Sequence, residues 1–372
     1  MTDWIRTPEQ LTRLAETLAG TRALALDSES DSLHHHFEKV CLLQIADDRG
    51  RAWLVDTLAV RDLAPLAPII ADAAVTKVLH GADYDVSTLR RDFGFQFAGV
   101  FDTMIAARFL GRREFGLQAL ARAELGVELS KGAQKDDWSH RPLSARQEAY
   151  ALADVEHLLA LHERLVAQLE AVGRLDWVRE ECDAVAQLEP ARRRKDPDAF
   201  FKIKGSERLE PRQLAALREL HAWREGRAET LDTPAFKIVD NEALLTLATR
   251  LPGTREDATA VIARFPRVRH EGGAVLAALT RAAALPDDEL PRWPRPPARL
   301  SRPSAAQKHI DLLKTWRAKE AERSGLDVSI ILPQRLIDKL ADAAPHSLGD
   351  LHGIDGLRAW RIGAYGPSLL AA

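Results

Sequence analysis

The sequence is poor in cysteine and lacks long apolar runs, and both absences narrow the class of protein. Its 372 residues include only two cysteines, Cys41 and Cys182, without a Cys-x-x-Cys spacing. Neither a disulfide framework nor a structural zinc site is therefore expected. The N-terminal segment lacks the apolar core of a signal peptide, and no run of about 20 apolar residues could cross a bilayer. These absences predict a soluble, cytoplasmic protein without membrane partners.

The small net charge of -3 hides an asymmetry between the two halves of the chain. Residues 1–190 contain 21 basic and 31 acidic side chains, whereas residues 191–372 contain 31 basic and 24 acidic ones. The halves therefore carry net charges of -10 and +7. An acidic half is expected if it holds cations in a catalytic site, and a basic half attracts polyanions. Ordinary compositional drift is the alternative explanation.

The stretch RALALDSES, residues 22–30, predicts a short buried strand that ends in two carboxylates. Asp27 and Glu29 are two residues apart, so a strand directs both toward the same face. Two like charges at the end of a buried strand are unfavourable unless a cation lies between them. A divalent metal site is one interpretation, and incidental acids at a solvated strand end are the other.

The remaining elements are predicted from apolar runs and helical periodicity. Three further runs predict strands, at residues 40–46, 52–56 and 77–80. The turn residues 47–50 indicate a hairpin between the first two of these strands. Helical patterns lie at residues 8–19, 59–71, 116–125 and 144–171, and another helix is expected to start at residues 101–103. With 46% apolar residues, a chain of this length predicts two or three domains.

Two of the predicted helices carry further candidate site residues. Asp85 lies in the first turn of the helix that follows the strand at 77–80, where open α/β sheets place ligands. Asp83 competes with Asp85, but the cap of that helix is the simpler role for it. Tyr150 and Asp154 are four residues apart and so share one helix face. A purely structural tyrosine–aspartate pair remains the alternative.

Taken in order, these acids resemble a known set of motifs. Asp27-x-Glu29, Asp85 after KVLHGADY, and Tyr150-x-x-x-Asp154 resemble the three exonuclease motifs of the tyrosine branch of the DEDD superfamily. The surrounding sequence, including the segments CLLQIA and DDWSHRPLSARQEAYALADV, resembles bacterial ribonuclease D. Ser28 stands where threonine is common in the family, a change that should leave the chemistry intact. The resemblance implies an α/β domain with a ribonuclease H-like mixed sheet flanked by helices.

The second half resembles helical HRDC domains. LRELHAWREGRAETLDTPAFKIVDNEALLTLA carries this resemblance, and a looser copy begins after a Pro-rich segment. The implied organisation is an exonuclease domain at 1–190, a first HRDC domain at 205–285, a linker at 286–303 and a second, HRDC-like domain at 304–372. Such a linker favours extended conformations.

The resemblance also implies the chemistry. It predicts a 3'-5' exoribonuclease that holds two divalent ions, Mg2+ or Mn2+, through Asp27, Glu29, Asp85 and Asp154, with Tyr150 orienting the attacking water. The implied substrate is RNA with a free 3' end, such as a tRNA precursor, and a monomer is expected. The alternatives are a DNA exonuclease and a non-catalytic nucleic-acid adaptor. Candidate phosphate contacts are Lys131, Lys135, Arg192, Arg193, Arg194 and Lys195.

Overall fold

A computed structural model describes residues 3–130, 132–190, 196–293 and 304–372. These residues form two compact units. The first contains residues 3–30, 40–130, 132–190 and 304–372, and the second contains residues 31–39 and 196–293.

The first unit is built on a six-stranded mixed sheet. Its strands are β1 (Asp3–Ile5), β2 (Ala23–Ser30), β3 (Val40–Asp47), β4 (Ala52–Val55), β5 (Thr76–Leu79) and β6 (Val100–Asp102). They lie in the order β1-β4-β3-β2-β5-β6, so the strand that carries the paired acids is central. β3 pairs antiparallel with β2 and β4, whereas β1–β4, β2–β5 and β5–β6 are parallel pairs. The predicted hairpin at residues 47–50 is confirmed.

Helices flank this sheet, as predicted. They are α1 (Pro8–Leu18), α2 (Ala67–Ala71), α3 (Asp83–Phe93), α4 (Thr103–Phe109), α5 (Leu117–Leu120), α6 (Ala145–Glu156), α7 (Leu158–Ala171) and α8 (Leu175–Ala186). The chain also has short 3-10 helices, at Ala64–Leu66, Ala199–Lys202 and Ser206–Arg208. A π-helical turn follows α5 at Ala121–Leu125. Among the described residues, none of the helices has the length and apolar character that a membrane span requires.

Two helix predictions need correction, and a third is confirmed. The helix expected at 59–71 is reduced to α2 and the preceding 3-10 turn, because Pro65 and Pro68 lack the amide hydrogens that helix propagation requires. The single helix expected at 144–171 is divided at His157, so that α6 packs on β2, β3 and β4 while α7 packs on α4 and β5. The helix expected to start at residues 101–103 is confirmed, since α4 begins at Thr103 and its N-cap, Asp102, is also the last residue of β6.

The second unit is helical. Its helices are α9 (Pro211–Thr230), α10 (Ala235–Ile238), α11 (Asn241–Arg250), α12 (Arg255–Ile262) and α13 (Gly272–Ala283). The long helix α9 packs against α11 and α13 around a core that includes Leu217, Leu244 and Val275. Amphipathic helices packed on a shared apolar core account for the fold of this unit.

The C-terminal helices belong to the first unit. They are α14 (Ser304–Ser324), α15 (Val328–Ile331), α16 (Gln334–Ala343), α17 (Leu348–His352) and α18 (Ala359–Leu370). Trp360 of α18 stacks on Trp177 of α8 with ring centroids 4.7 Å apart, and Arg361 pairs with Glu181 at 2.9 Å. The final helices therefore share a core with the helices of the sheet.

Candidate active site

Three carboxylates meet on one face of the sheet. Asp27 and Glu29 project from β2, and Asp154 reaches them from α6, which packs on β2, β3 and β4. One oxygen of each carboxylate lies within 4.8 Å of the other two. The two-residue spacing on β2 places Asp27 and Glu29 on this face of the sheet. The helix α6 packs on the same face and supplies the third carboxylate, that of Asp154.

The local sequence explains why α6 begins where it does. Ser144 accepts a hydrogen bond from the Gln147 amide, while the Gln147 side chain accepts one from the Ser144 amide. This capping box fixes the first turn of the helix. Tyr150 and Asp154 follow at a spacing that keeps them on the side facing the sheet.

The structure places Asp85 beside this group of three. Asp85 is buried in the first turn of α3, and its Oδ1 accepts a hydrogen bond from Ser28 Oγ at 2.5 Å. The four carboxylates of Asp27, Glu29, Asp85 and Asp154 are hereafter called the acidic cluster. Ser28 thus holds Asp85 through its hydroxyl. Threonine has the same hydroxyl, which agrees with the expectation that serine at this position leaves the chemistry intact.

The electrostatics of the acidic cluster favour neutral carboxyl groups in the absence of a cation. Burial raises the pKa of Glu29 to about 9, and the charges of Asp154, Asp85 and Asp136 raise it in the same direction. Burial, reinforced by the three neighbouring carboxylates, raises the pKa of Asp27 well above its usual range. Burial also raises the pKa of Asp85 and of Asp154 to about 7.

The residues present suit a divalent metal ion. Asp27, Glu29 and Asp154 form the one group of potential metal ligands found among the described residues. Carboxylate oxygens are the ligands that Mg2+ and Mn2+ prefer. A bound cation would offset both the burial and the mutual repulsion that raise these pKa values.

Tyr150 lies at the edge of the acidic cluster, where its hydroxyl interacts with the Asp154 carboxyl group. Burial and the charges of Asp154, Glu29 and Asp27 raise the pKa of its hydroxyl above the ordinary value. The phenol is therefore protonated throughout the neutral range. It can donate a hydrogen bond and orient a bound molecule, but it cannot act as a general base there.

Asp102 was not identified from the sequence, although it fixes the junction that precedes Asp85. Its buried carboxylate accepts hydrogen bonds from the amides of Gly81 at 3.0 Å and Ala82 at 2.8 Å. It also caps α4 through the amide of Met104 at 2.7 Å. The sequence indicates this role only through the position of Asp102, directly before Thr103 at the expected start of a helix.

Gly81 is required at the same junction. Its φ is +74°, and a Cβ at this position would come within 3.1 Å of the Met104 side chain.

Asp83, expected to cap α3, does not do so: the N-cap is Ala82, and the exposed Asp83 accepts a hydrogen bond from the amide of Tyr84.

Gln44 is a second residue that the sequence analysis missed. It lies directly opposite Asp27 in the antiparallel β2–β3 pair, so the two side chains share a face. Its side chain is fully buried, and neither atom of its amide has a hydrogen-bond partner among the described residues. Unsatisfied buried polar groups are rare in native proteins and concentrate where function requires them.

Of the remaining candidates for phosphate contact, the structure describes one, and the others lie outside the described residues. Lys135 is exposed in the loop before α6. Lys131, Arg192, Arg193, Arg194 and Lys195 lie outside the described residues. The three consecutive histidines, His34, His35 and His36, are half-buried, and His35 Nδ1 lies 2.7 Å from Asp232 Oδ2 within the second unit.

Comparison with known proteins defines the class of this chain. A family model for 3'-5' exonucleases matches residues 2–170, and the model of the HRDC domain matches residues 213–279 and 307–372. The first match contains the whole acidic cluster and Tyr150. The fold and the site together define a 3'-5' exonuclease domain joined to HRDC domains.

Individual relatives define the family more narrowly. Ribonuclease D of Pseudomonas paraeruginosa is 34% identical, over 99% of this chain and 96% of the relative. The crystal structure of Escherichia coli RNase D, described as an exoribonuclease involved in structured RNA processing, matches with a TM-score of 0.71 and 27% identity over 99% of this chain and 97% of that one. The catalytic core of Trypanosoma brucei RRP6 matches with the same TM-score and 28% identity over 77% of this chain and 81% of that one. The chain belongs to the ribonuclease D family of 3'-5' exoribonucleases.

Proposed function

We propose that the chain removes nucleotides from the 3' end of RNA by a two-metal mechanism and releases nucleoside 5'-monophosphates. The observation that carries this proposal is the convergence of Asp27, Glu29 and Asp154 within 4.8 Å, beside the buried Asp85 and with raised carboxyl pKa values. Mg2+ and Mn2+ are the proposed ions. When bound, the ions would supply Lewis acidity to the attacking water and to the departing 3' oxygen.

We assign distinct roles to the four carboxylates. Asp27, Glu29 and Asp154 are the residues that would hold the ions, and the ions would supply the Lewis acidity that activates the attacking water. Asp85 is proposed to act through bound water, because its carboxylate lies outside the group of three and is already held by Ser28.

Tyr150 is proposed to orient the attacking water through its hydroxyl. Its raised pKa supports a role as a neutral hydrogen-bond donor and acceptor and argues against proton abstraction. The contact with Asp154 holds the hydroxyl beside the carboxylates. Preorganised hydrogen bonding of this kind stabilises the transition state without a large reorganisation of the protein.

The proposed substrate is RNA with a free 3' end, and a tRNA precursor is the proposed physiological example. The support is family membership and the net charge of +7 on residues 191–372, which would attract a polyanion. Lys131, Lys135 and the run Arg192–Lys195 remain proposed phosphate contacts. A monomer and the four-part organisation 1–190, 205–285, 286–303 and 304–372 also remain proposals.

The test is incubation of a 5'-labelled tRNA precursor bearing a 3' tail with the full chain and Mg2+ or Mn2+. We expect stepwise shortening, nucleoside 5'-monophosphate products and no shortening by Asp27→Asn. A DNA strand of matched sequence is the control for sugar preference. Faster degradation of the DNA would favour the DNA exonuclease alternative, and binding without shortening would favour the adaptor.

A further inference from the structure

We propose that Arg141 is a positioning residue for Tyr150, acting through the loop 132–143 and the indole of Trp138. This inference rests on the proposed function, because it concerns the side chain to which water orientation is assigned. Arg141 itself is placed outside the reacting groups. Its role is to hold the surface against which the Tyr150 ring packs.

The guanidinium of Arg141 anchors the loop to the sheet. Its Nε donates to Asp56 Oδ2 at 2.8 Å and its Nη2 donates to Asp56 Oδ1 at 2.9 Å. Nη2 also donates to the carbonyl of Cys41 on β3 at 2.7 Å. Two parallel bonds to one carboxylate fix both the position and the plane of the guanidinium. Asp56 follows β4 directly, so the anchor point belongs to the rigid sheet.

The same guanidinium also holds the loop backbone at Trp138, the residue whose ring packs on Tyr150. Nη1 donates to the carbonyl of Trp138 at 2.7 Å and to the carbonyl of His140 at 2.9 Å. Arg141 thus ties the backbone of Trp138 to Asp56 and Cys41, which are distant in sequence. An ammonium group could not reproduce this set of contacts, because it lacks the planar fork.

The indole of Trp138 depends on that backbone anchor. It is 1% exposed, and its N–H has no hydrogen-bond partner among the described residues. No polar contact of the ring fixes its position, so packing and the location of its own backbone do. The ring centroid lies 6.1 Å from that of Tyr150 at an interplanar angle of 41°.

Tyr150 is therefore held at two points. Its hydroxyl interacts with the Asp154 carboxyl group, and its ring packs on Trp138 within a small apolar cluster that includes Leu54 and Ala151. A displaced loop would release the ring and allow the hydroxyl to leave its productive position. Small misplacements of a positioning group can reduce turnover by up to about a hundred-fold.

The first experiment is a double-mutant cycle with Arg141→Lys and Tyr150→Phe in the full chain. We expect Arg141→Lys to lower kcat by roughly ten- to a hundred-fold while KM for RNA and Mn2+ affinity stay unchanged. In the Tyr150→Phe background the same substitution should have less than about a two-fold effect, because the hydroxyl is already gone. Equal effects in both backgrounds would overturn the proposal, as would full activity of Arg141→Lys.

The second experiment does not depend on activity. The chain has three tyrosines, so 3-fluorotyrosine labelling should give three fluorine resonances, with that of Tyr150 assigned by its loss in Tyr150→Phe. We expect Arg141→Lys to shift or broaden the Tyr150 resonance and to leave that of Tyr365 unchanged. An unchanged Tyr150 resonance would overturn the proposal even if the protein proved inactive on RNA, whereas inactivity alone would contradict the proposed function.

Arg112→Lys is the matched control for both experiments. Arg112 also carries a hydrogen-bonded guanidinium in the first unit, but its partners, Glu124 at 2.7 Å and Gln168 at 2.8 Å, lie outside the loop 132–143. It should change neither the double-mutant cycle nor the Tyr150 resonance. If Arg112→Lys reproduced the effects of Arg141→Lys, they would reflect general loosening of the fold and the proposal would fail.

Discussion

The acidic cluster and the loop 132–143 lie side by side, yet they differ in whether their charged side chains form ion pairs. Arg141 of the loop is paired with Asp56, and Asp136 of the loop is paired with Arg146 of α6. Among the described residues, no ion pair joins a carboxylate of the acidic cluster to a lysine or arginine, and all four carboxyl pKa values are raised. Charges that hold the structure are partnered within the protein, whereas the charges of the candidate site are partnered only if a cation binds.

The comparison has an energetic consequence. Ion pairs that are bidentate and anchored to backbone carbonyls stabilise the fold, and removing one partner leaves the other unsatisfied. Clustered carboxylates without a cation oppose folding, so substitutions there should be harmful to activity and neutral or favourable for stability. The following predictions test this contrast.

The largest effect is expected for Asp154→Asn. It removes a carboxylate from the group of three while keeping the size and shape of the side chain, so RNA shortening and Mn2+ binding should be lost together. Single-turnover cleavage and calorimetric metal titration would measure both. Asp176→Asn, at an exposed position of α8, is the matched control and should behave as the wild type does. Retained metal affinity with lost cleavage would contradict the assignment of Asp154 as a ligand.

Tyr150→Phe should have the next largest effect and should separate orientation from metal binding. Loss of a single preorganised hydrogen bond typically costs about 2.7 to 4 kcal/mol in the transition state, or roughly a hundred- to thousand-fold in turnover. Metal affinity and RNA affinity should stay nearly unchanged, since the ring and its packing on Trp138 are kept. Cleavage as fast as that of the wild type would show that the hydroxyl is structural.

The metal-free protein should lose stability as the pH rises from about 5 to 9. The folded state keeps protons on Glu29, whose pKa is about 9, and on Asp85 and Asp154, whose pKa values are about 7. The unfolded state releases these protons near pH 4, so the free energy of unfolding falls through this window. For each group, the free energy of unfolding should fall by about 1.4 kcal/mol for every pKa unit by which its folded value exceeds its unfolded value. Urea denaturation in EDTA would measure it, and Glu29→Gln should flatten the profile.

Divalent ions should reverse part of this loss. Free Mn2+ at a hundred times its Kd should raise the free energy of unfolding of the wild type by about 2.7 kcal/mol. The increase should be much smaller for Asp27→Asn, because the central carboxylate of the acidic cluster is neutral there. Thermal melts at a series of Mn2+ concentrations would test this. Equal shifts in the two proteins would argue against a shared metal site.

The smallest effect is expected at Gln44, which faces Asp27. Gln44→Met replaces a buried amide without hydrogen-bond partners by an apolar side chain of similar length, so it should stabilise the metal-free protein by about 1 kcal/mol. Urea denaturation of the two proteins in EDTA would measure the difference. A destabilised variant would mean that the amide is hydrogen-bonded in solution.

Much of the fold was predictable, and the failures have identifiable causes. The strands β2 to β5 follow from apolar runs and turn residues, which are local signals. Strands β1 and β6 have three residues each, too few for a periodic pattern, and they exist because neighbouring strands pair with them. The break at His157 also escaped detection, because the apolar pattern continues through it while the two helices turn toward different partners.

The sequence by itself determined the parts of the candidate site that lie close together along the chain. Asp27 and Glu29 share a strand face and Tyr150 and Asp154 share a helix face, because strand and helix periodicity fix these relations locally. Tertiary structure alone decided which distant groups meet: Ser28 with Asp85, Asp102 with Gly81 and Arg141 with Asp56. The same holds for the C-terminal helices, whose Trp360 stacks on Trp177. These contacts join residues from 21 to 183 positions apart in the numbering, and no local periodicity specifies a pairing over such separations.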